Sequence, residues 1–339
     1  MVSTFTTLEA RTVTTTVPTS TTDDFTRATE PFRRELLAHC YRMLGSVYEA
    51  EDVLQETYLR AWRSWDRFEG RSSVRVWMYR IATNACLTAL HGRARRTLPS
   101  GLVGHSDNPD APPQPAGPEV RWLEPIPDAL VTPESDDPAA IAAARANLRL
   151  ALIASLQHLP ARQRAVLILR DVLELPAAEV AQMLETSTAA VKSALQRARA
   201  RLAEVAPRAD DLAEPSEPAA IALLDQYIAA FEHADLEALE RALRADATLE
   251  MTPSTTWFAG NRNCLRFIRR FLGSPGVYRM RATRANGQPG VAAYRRDEHG
   301  VHRAFALVVL TTTPTGIARI TLFDDPRLFA TFDFPETAP

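Results

Sequence analysis

Polar and basic side chains recur along one face of a segment near residue 190. Residues 174–202 predict two short helices joined by a tight turn, and Pro176 suits the first helical turn, where its missing N–H is no loss. Val191, Leu195 and Ala198 give the second helix an apolar face. Its other face carries residue types that contact bases and phosphates: Thr188, Lys192, Ser193, Gln196, Arg197 and Arg199. This layout predicts a helix-turn-helix that binds a DNA major groove, although the second helix alone also fits a basic face exposed to water.

A second basic segment, residues 31–96, carries 12 arginines against seven acidic residues. Ser46 and Glu49 have the spacing of a capping box, which predicts the start of a helix. One face of that helix, called the anionic stripe here, has the i, i+3, i+4, i+7 spacing: Asp52, Gln55, Glu56 and Leu59. Because negative charge repels DNA, we expect this face to contact protein.

The net charge of −2 conceals an uneven distribution along the 339 residues. Residues 97–140 have eight acids, one arginine and ten prolines, which predicts an extended acidic linker without a packed core. Residues 122–127 (WLEPIP) interrupt it and are expected to dock, since an exposed tryptophan is costly. Residues 141–207 are basic again, with nine cations against five acids. Two basic modules separated by an acidic linker suggest a polyanionic partner.

The last part of the chain has a different pattern. Helices at 219–233 and 236–244 precede six strand-like runs, with a further helix at 261–272 among them. This order predicts an α+β domain with a curved antiparallel sheet. Its candidates for acid–base chemistry are His233, Asp246, Glu250, Tyr278, His299 and His302. No spacing among them identifies catalysis, so a structural role is favoured for each.

Composition also excludes several kinds of site. Cys40, Cys86 and Cys264 are scattered without zinc-ligand spacing or a disulfide pattern. We expect no metal or other cofactor and a reducing cytoplasm. No membrane span or signal peptide is predicted, and the Thr-rich residues 1–25 are expected to form a disordered tail.

Two segments resemble the extracytoplasmic-function (ECF) sigma factors of the bacterial sigma-70 family: residues 48–90 (YEAEDVLQETYLRAWRSWDRFEGRSSVRVWMYRIATNACLTAL) and 158–202 (HLPARQRAVLILRDVLELPAAEVAQMLETSTAAVKSALQRARARL). The likeness covers residues 31–207 apart from the linker. Residues 247–253 (ATLEMTP) and 257–260 (WFAG) resemble the SnoaL-like, ketosteroid-isomerase-like domain that some ECF sigma factors carry. The resemblance therefore implies two all-α sigma domains, the second with the helix-turn-helix, followed by a cone-shaped α+β domain.

The resemblance divides the chain into sigma domain 2 (26–96), the linker (97–140), sigma domain 4 (141–207), a second linker (208–218) and a SnoaL-like regulatory domain (219–339). It implies that the anionic stripe binds the RNA polymerase core. The helix from Thr188 would bind the −35 promoter element. The −10 element would be bound by one set of residues: Arg71, Arg75, Tyr79, Arg80, Asn84, Arg93, Arg95 and Arg96.

These implications give a mechanism in which polymerase holds two weak DNA-binding modules at the spacing of the promoter elements, while the linker supplies effective concentration. The regulatory domain is expected to bias open against closed arrangements, with a small ligand as a candidate effector. Two alternatives stay open: a ligand-responsive regulator that binds DNA without polymerase, and an isomerase-like enzyme fused to a DNA-binding part.

Overall fold

The computed structural model describes residues 21–133, 137–205 and 217–338. Sigma domain 2 begins with four helices: α1 (Thr21–Thr29), α2 (Arg33–Leu44), α3 (Val47–Ser64) and α4 (Val74–Leu90). Residues 21–25, which were predicted to belong to a disordered tail, are therefore helical, and Phe25 is buried against Trp62 and Trp65. The rest of the predicted tail lies outside the described residues.

The predicted cap at Ser46 forms in part. The Ser46 Oγ accepts a hydrogen bond of 3.2 Å from the Glu49 backbone N–H, as an N-cap should. The Glu49 carboxylate contacts Arg93, Arg96 and Arg121 instead of completing the reciprocal bond. Sequence spacing predicts the helix start correctly, but it does not show that three cations surround the carboxylate.

The linker is not the extended chain that its prolines predict. Strands β1 (Arg96–Thr97) and β2 (Arg121–Trp122) pair in parallel, and α5 (Asp128–Val131) follows. Residues 122–127 dock as predicted, with Leu123 and Ile126 fully buried, although Trp122, on which the prediction rested, is only half-buried. The prediction of an extended linker is wrong because this segment buries its few apolar residues against surfaces of the neighbouring domains. It therefore needs no core of its own.

Sigma domain 4 contains the predicted helix-turn-helix. Three helices come first: α6 (Pro138–Ala146), α7 (Leu150–Gln157) and α8 (Ala161–Leu167), the last extended by a π turn (Ile168–Val172). The motif itself is α9 (Ala177–Met183) and α10 (Thr188–Val205), with Glu185 at φ 51° in the turn between them. Val191 and Ala198 of α10 are buried against the domain.

The C-terminal domain has the predicted α+β fold. Its helices are α11 (Glu217–Glu232), α12 (Leu236–Ala242), α13 (Asn261–Leu272) and α14 (Arg327–Thr331). Its strands are β3 (Leu243–Thr252), β4 (Trp257–Ala259), β5 (Tyr278–Ala285), β6 (Gln288–Arg296), β7 (His302–Thr313) and β8 (Gly316–Phe323). The sheet order is β4-β3-β8-β7-β6-β5, and the β3–β8 pair runs parallel, so the sheet is mixed rather than wholly antiparallel. Residues 208–216 of the second predicted linker lie outside the described ranges, and helix α11 already begins at Glu217.

One asparagine in the β5–β6 turn of the C-terminal domain contacts both sigma domains and the linker. Asn286 is fully buried at φ 57°, a left-handed conformation that asparagine tolerates. Its Nδ2 donates to the Tyr41 Oη and to the Leu148 carbonyl, both at 2.7 Å, and its Oδ1 accepts from the Ile126 N–H at 3.0 Å. This Asn286 junction therefore joins both sigma domains, the linker and the C-terminal sheet.

In the described parts of the chain, no single helix has the length and apolar composition needed to cross a membrane. The pair Ala139–Ala146 and Leu150–Gln157, bent by 45° at its break, meets both criteria only when taken together.

Candidate nucleic-acid interface

The outer face of α10 presents the predicted −35 residues to solvent. All six members of that set are exposed. Ser187 caps the helix, because its Oγ accepts a 3.1 Å hydrogen bond from the Ala190 N–H. The Arg199 guanidinium makes two hydrogen bonds to the Asp171 carboxylate, at 2.7 and 2.9 Å, which hold it beside the helix. Lys192 and Arg197 add two exposed positive charges to the same face.

The predicted −10 residues divide into groups with different surroundings. Arg71 and Arg93 are exposed and contact Glu69 and Glu49, respectively. Arg75 makes a two-pronged contact with the Glu35 carboxylate, at 2.9 Å for the shortest pair of atoms. Such exposed or half-exposed pairs are weak and can exchange for phosphate contacts.

Tyr79 and Arg96 do not have the exposure that was predicted for them. Tyr79 is fully buried with its ring edge-on to His39, because α4 packs on α2 along a wider face than the Trp77–Ile81 stripe indicates. Burial raises the pKa of its hydroxyl. Arg96 has only 9% of its side chain exposed and contacts Glu124 at 3.1 Å and Glu49 at 3.3 Å. Both side chains stabilise the fold in this arrangement.

The other three residues of the set contact sigma domain 4. Arg80 lies 3.6 Å from the Glu185 carboxylate, and the Asn84 amide is 3.5 Å from the Met183 carbonyl. The Arg95 guanidinium lies 2.5 Å from the Nδ1 of His158. Three residues of the predicted −10 set therefore contact sigma domain 4 in this structure, an arrangement that the sequence does not reveal, although Arg80 and Arg95 remain exposed.

The anionic stripe lies on the surface of α3. Asp52 and Gln55 are exposed, Glu56 is half-buried and bonded to Arg60 at 2.6 Å, and half of the Leu59 side chain is exposed. Trp62, which the sequence analysis did not select, is 40% exposed three residues farther along. The i+3 spacing from Leu59 was the available signal. A charged rim beside two exposed apolar side chains is the composition of a protein-binding surface.

The C-terminal candidates for acid–base chemistry are not brought together. His233, Asp246 and His299 are on the outer surface, and His302 contacts the Gly276 carbonyl. Glu250 is buried on the sheet face opposite Leu249 and Met251, where it accepts a 3.0 Å hydrogen bond from the Ser100 N–H. Of the six candidates, Tyr278 alone lines the cavity of about 270 Å³ within this domain. Asp324 also lines it and was missed, because it follows the last residue of a strand in a run of two aspartates. Among the described residues, no group of three His, Cys, Asp or Glu side chains has the arrangement of a metal site.

A buried histidine makes the stability of sigma domain 2 sensitive to pH. The His39 Nε2 lies 2.9 Å from the Thr83 Oγ, and burial, followed by the Arg42 charge, lowers the pKa of His39 to about 3. The unfolded chain therefore binds a proton below about pH 6.5 that the folded chain does not bind until about pH 3.

We therefore expect the free energy of unfolding to fall by about 2 kcal/mol between pH 7.5 and pH 5.0 through this group alone. Urea unfolding at both pH values should show a smaller loss for His39→Gln. The exposed His299→Gln is the control and should keep the wild-type dependence. An equal loss in all three proteins would contradict this assignment.

The domains and their exposed faces define a sigma-70-type protein with a third, C-terminal domain. The Sigma-70 region 2 model matches residues 29–96, and the Sigma-70 region 4 model matches residues 149–202. The chain is 49% identical over 317 residues to the ECF RNA polymerase sigma factor SigG of Mycobacterium tuberculosis, covering 93% of this chain and 85% of that protein. It is 31% identical over 255 residues to SigJ of the same species, covering 74% of this chain and 70% of that protein.

The chain belongs to the ECF sigma factors of RNA polymerase. The crystal structure of M. tuberculosis SigJ matches this fold with a TM-score of 0.56 at 21% identity, covering 91% of this chain and 98% of SigJ. The predicted fold class, two helical domains followed by an α+β sheet domain, is confirmed by this match. As a sigma factor, the chain acts with core polymerase on promoter DNA.

Proposed function

We propose that this sigma factor binds core polymerase through the anionic stripe and reads the −35 element with α10. The exposed basic face of α10 carries the proposal, since all six of its selected residues are exposed and only Arg199 among them is described as bonded to another side chain, that of Asp171. The exposed arginines at the ends of α4 would contact the −10 element. Run-off transcription by core polymerase with and without the chain tests this function. DNA binding without any polymerase-dependent transcript would favour the alternative of a separate regulator.

Asp52→Arg is expected to weaken association with core polymerase about tenfold, because a charge at the edge of an interface selects the partner and its register. Binding of the labelled chain to core polymerase by fluorescence anisotropy measures this effect. Asp225→Arg, an equal charge reversal at an exposed position on α11, is the matched control and should leave binding unaltered. Equal affinities for the two variants would place the polymerase contact elsewhere.

We also propose that the C-terminal domain regulates the sigma domains and has no catalytic role. The Asn286 junction joins both sigma domains to the β5–β6 turn, and Arg80, Asn84 and Arg95 of the proposed −10 set contact sigma domain 4. Engagement of these three side chains with promoter DNA would therefore require the two modules to separate. A ligand or partner that binds the separated form more tightly shifts the population toward it.

A further inference from the structure

The cavity of the C-terminal domain lies between the sheet and the helices α11 and α13. Its volume is about 270 Å³. Its wall is largely apolar, and aromatic rings and methionine side chains form much of it, among them Phe231, Met251, Phe267, Met280 and Phe305. An apolar cavity of about 150 Å³ stays dry and takes up benzene, so a larger cavity with such walls favours an organic molecule over water.

Polar groups meet the cavity where β3 and β8 end. Asp324 and Thr252 are neighbours there, with the Asp324 N–H donating to the Thr252 carbonyl at 3.1 Å, and Ser254 follows. Burial, followed by the Asp325 charge, raises the pKa of the Asp324 carboxyl. The Tyr278 hydroxyl donates to the Phe271 carbonyl at 3.0 Å, so its proton is already used. A ligand with one hydroxyl or amine beside Asp324 would match this distribution of polarity.

A segment of the linker crosses this same end of the cavity. This segment, residues 103–116, is called the strap, and its Pro113 forms part of the cavity wall. Hydrogen bonds join the strap to the β3–β4 turn and to the start of β4. The Gln114 carbonyl accepts from the Thr255 N–H at 2.9 Å, and the Gln114 N–H donates to the Thr256 Oγ at 2.8 Å. The Ser106 N–H donates to the Trp257 carbonyl at 2.8 Å.

Helix α13 holds the outer side of the strap. Arg270 donates to the carbonyls of Pro109 and Ala111 at 2.7 and 3.1 Å, and Arg266 forms an ion pair with Asp110. The helix also supplies Phe267 and Phe271 to the cavity wall. A molecule that displaces these rings therefore acts on the helix that binds the strap.

The strap belongs to the chain that connects the two DNA-binding modules. It leads directly into β2 and α5, and Ile126, between those elements, is bonded to the Asn286 junction. We propose that the cavity binds a small, largely apolar molecule with one hydroxyl or amine group. Occupancy of the cavity alters how tightly the C-terminal domain binds the strap. Through the strap, it alters the separation of the two DNA-binding modules. The regulatory part of this inference rests on the proposed function.

N-phenyl-1-naphthylamine, an uncharged aromatic molecule with one N–H, is a suitable fluorescent probe for the full-length chain. We expect its fluorescence to rise on binding and hydrogen exchange at the Gln114, Ala116 and Thr255 amides to change at least fivefold. Ala293→Phe, which fills the cavity from β6, should weaken binding at least tenfold. Asp324→Asn should weaken it about fivefold, and the exposed Asp333→Asn, the matched control, should leave it unchanged.

The inference is overturned if the wild-type chain does not bind the probe or if Ala293→Phe binds it with wild-type affinity. Binding that leaves strap exchange unaltered also overturns it. Thermal unfolding establishes that each variant is folded, and Asp324→Asn keeps the test decisive if Ala293→Phe is not. Run-off transcription without probe separates the two proposals. If the chain supports run-off transcription but does not bind the probe, only this inference is overturned. If the chain binds the probe but supports no polymerase-dependent transcription, the proposed function is overturned.

Discussion

Replacing Lys192 and Arg197 together with alanine is expected to lower promoter binding by the polymerase-bound chain about a hundredfold. Both side chains extend from the exposed face of α10, and neither substitution removes a buried contact. A well-placed contact to a base edge contributes about 1–3 kcal/mol, and a phosphate contact adds a salt-dependent share. The variant should therefore retain its fold and its affinity for core polymerase while losing promoter affinity.

Binding of the polymerase-bound variant to promoter DNA, measured over a range of salt concentrations, tests this expectation. A phosphate contact appears as a slope reduced by about one unit, and a base contact appears as relaxed preference at one promoter position. Arg262→Ala with Arg269→Ala removes two exposed cations from α13 and is the matched control. If both double variants bind promoter DNA equally well, α10 is not the reading helix.

Replacing Asn286 with glycine is expected to destabilise the protein by about 3 kcal/mol, because buried partners lose their hydrogen bonds. Glycine retains the left-handed backbone at φ 57°, so the effect belongs to the side chain. Of the three partners, the Tyr41 hydroxyl still donates to the Glu124 carbonyl, whereas the Ile126 N–H and the Leu148 carbonyl lose the bonds described here. Urea unfolding measures the change.

Asp333→Gly is the control for the Asn286 substitution, since Asp333 is exposed at φ 58° and should lose little stability as glycine. The functional expectation is that the two sigma domains separate more readily in Asn286→Gly. Hydrogen exchange at Ile126 and run-off transcription should therefore both change. A variant as stable as the control, with unaltered transcription, would remove the Asn286 junction from the regulatory scheme.

Local sequence patterns predict the secondary structure of this protein well. The helix expected at 261–272 has those bounds in the structure, and each of the six strand-like runs overlaps one strand. Alternation and amphipathic spacing are properties of neighbouring residues, which explains this success. The surroundings of Tyr79, Arg96 and the linker depend on surfaces contributed by distant segments, and periodicity carries no information about those surfaces.

In the candidate nucleic-acid interface, too, local patterns predict some features and not those that depend on distant segments. The exposed face of α10 follows from helical spacing, because one side of that helix must pack on its own domain. The contact between Arg80 and Glu185 joins residues more than a hundred positions apart. Whether a basic side chain faces solvent or another module is a property of domain arrangement, which a single sequence does not encode in any local pattern.

The contacts of the strap can form only after a distant part of the chain has been synthesised. The Trp257 indole that donates to the Val103 carbonyl lies 154 residues later in the chain. At translation rates of about 5–20 residues per second, roughly eight to thirty seconds pass between the synthesis of Val103 and that of Trp257. Both sigma domains are therefore synthesised before the domain that contacts them. If that domain restrains them as proposed, newly made molecules have an interval in which polymerase can bind them without the restraint.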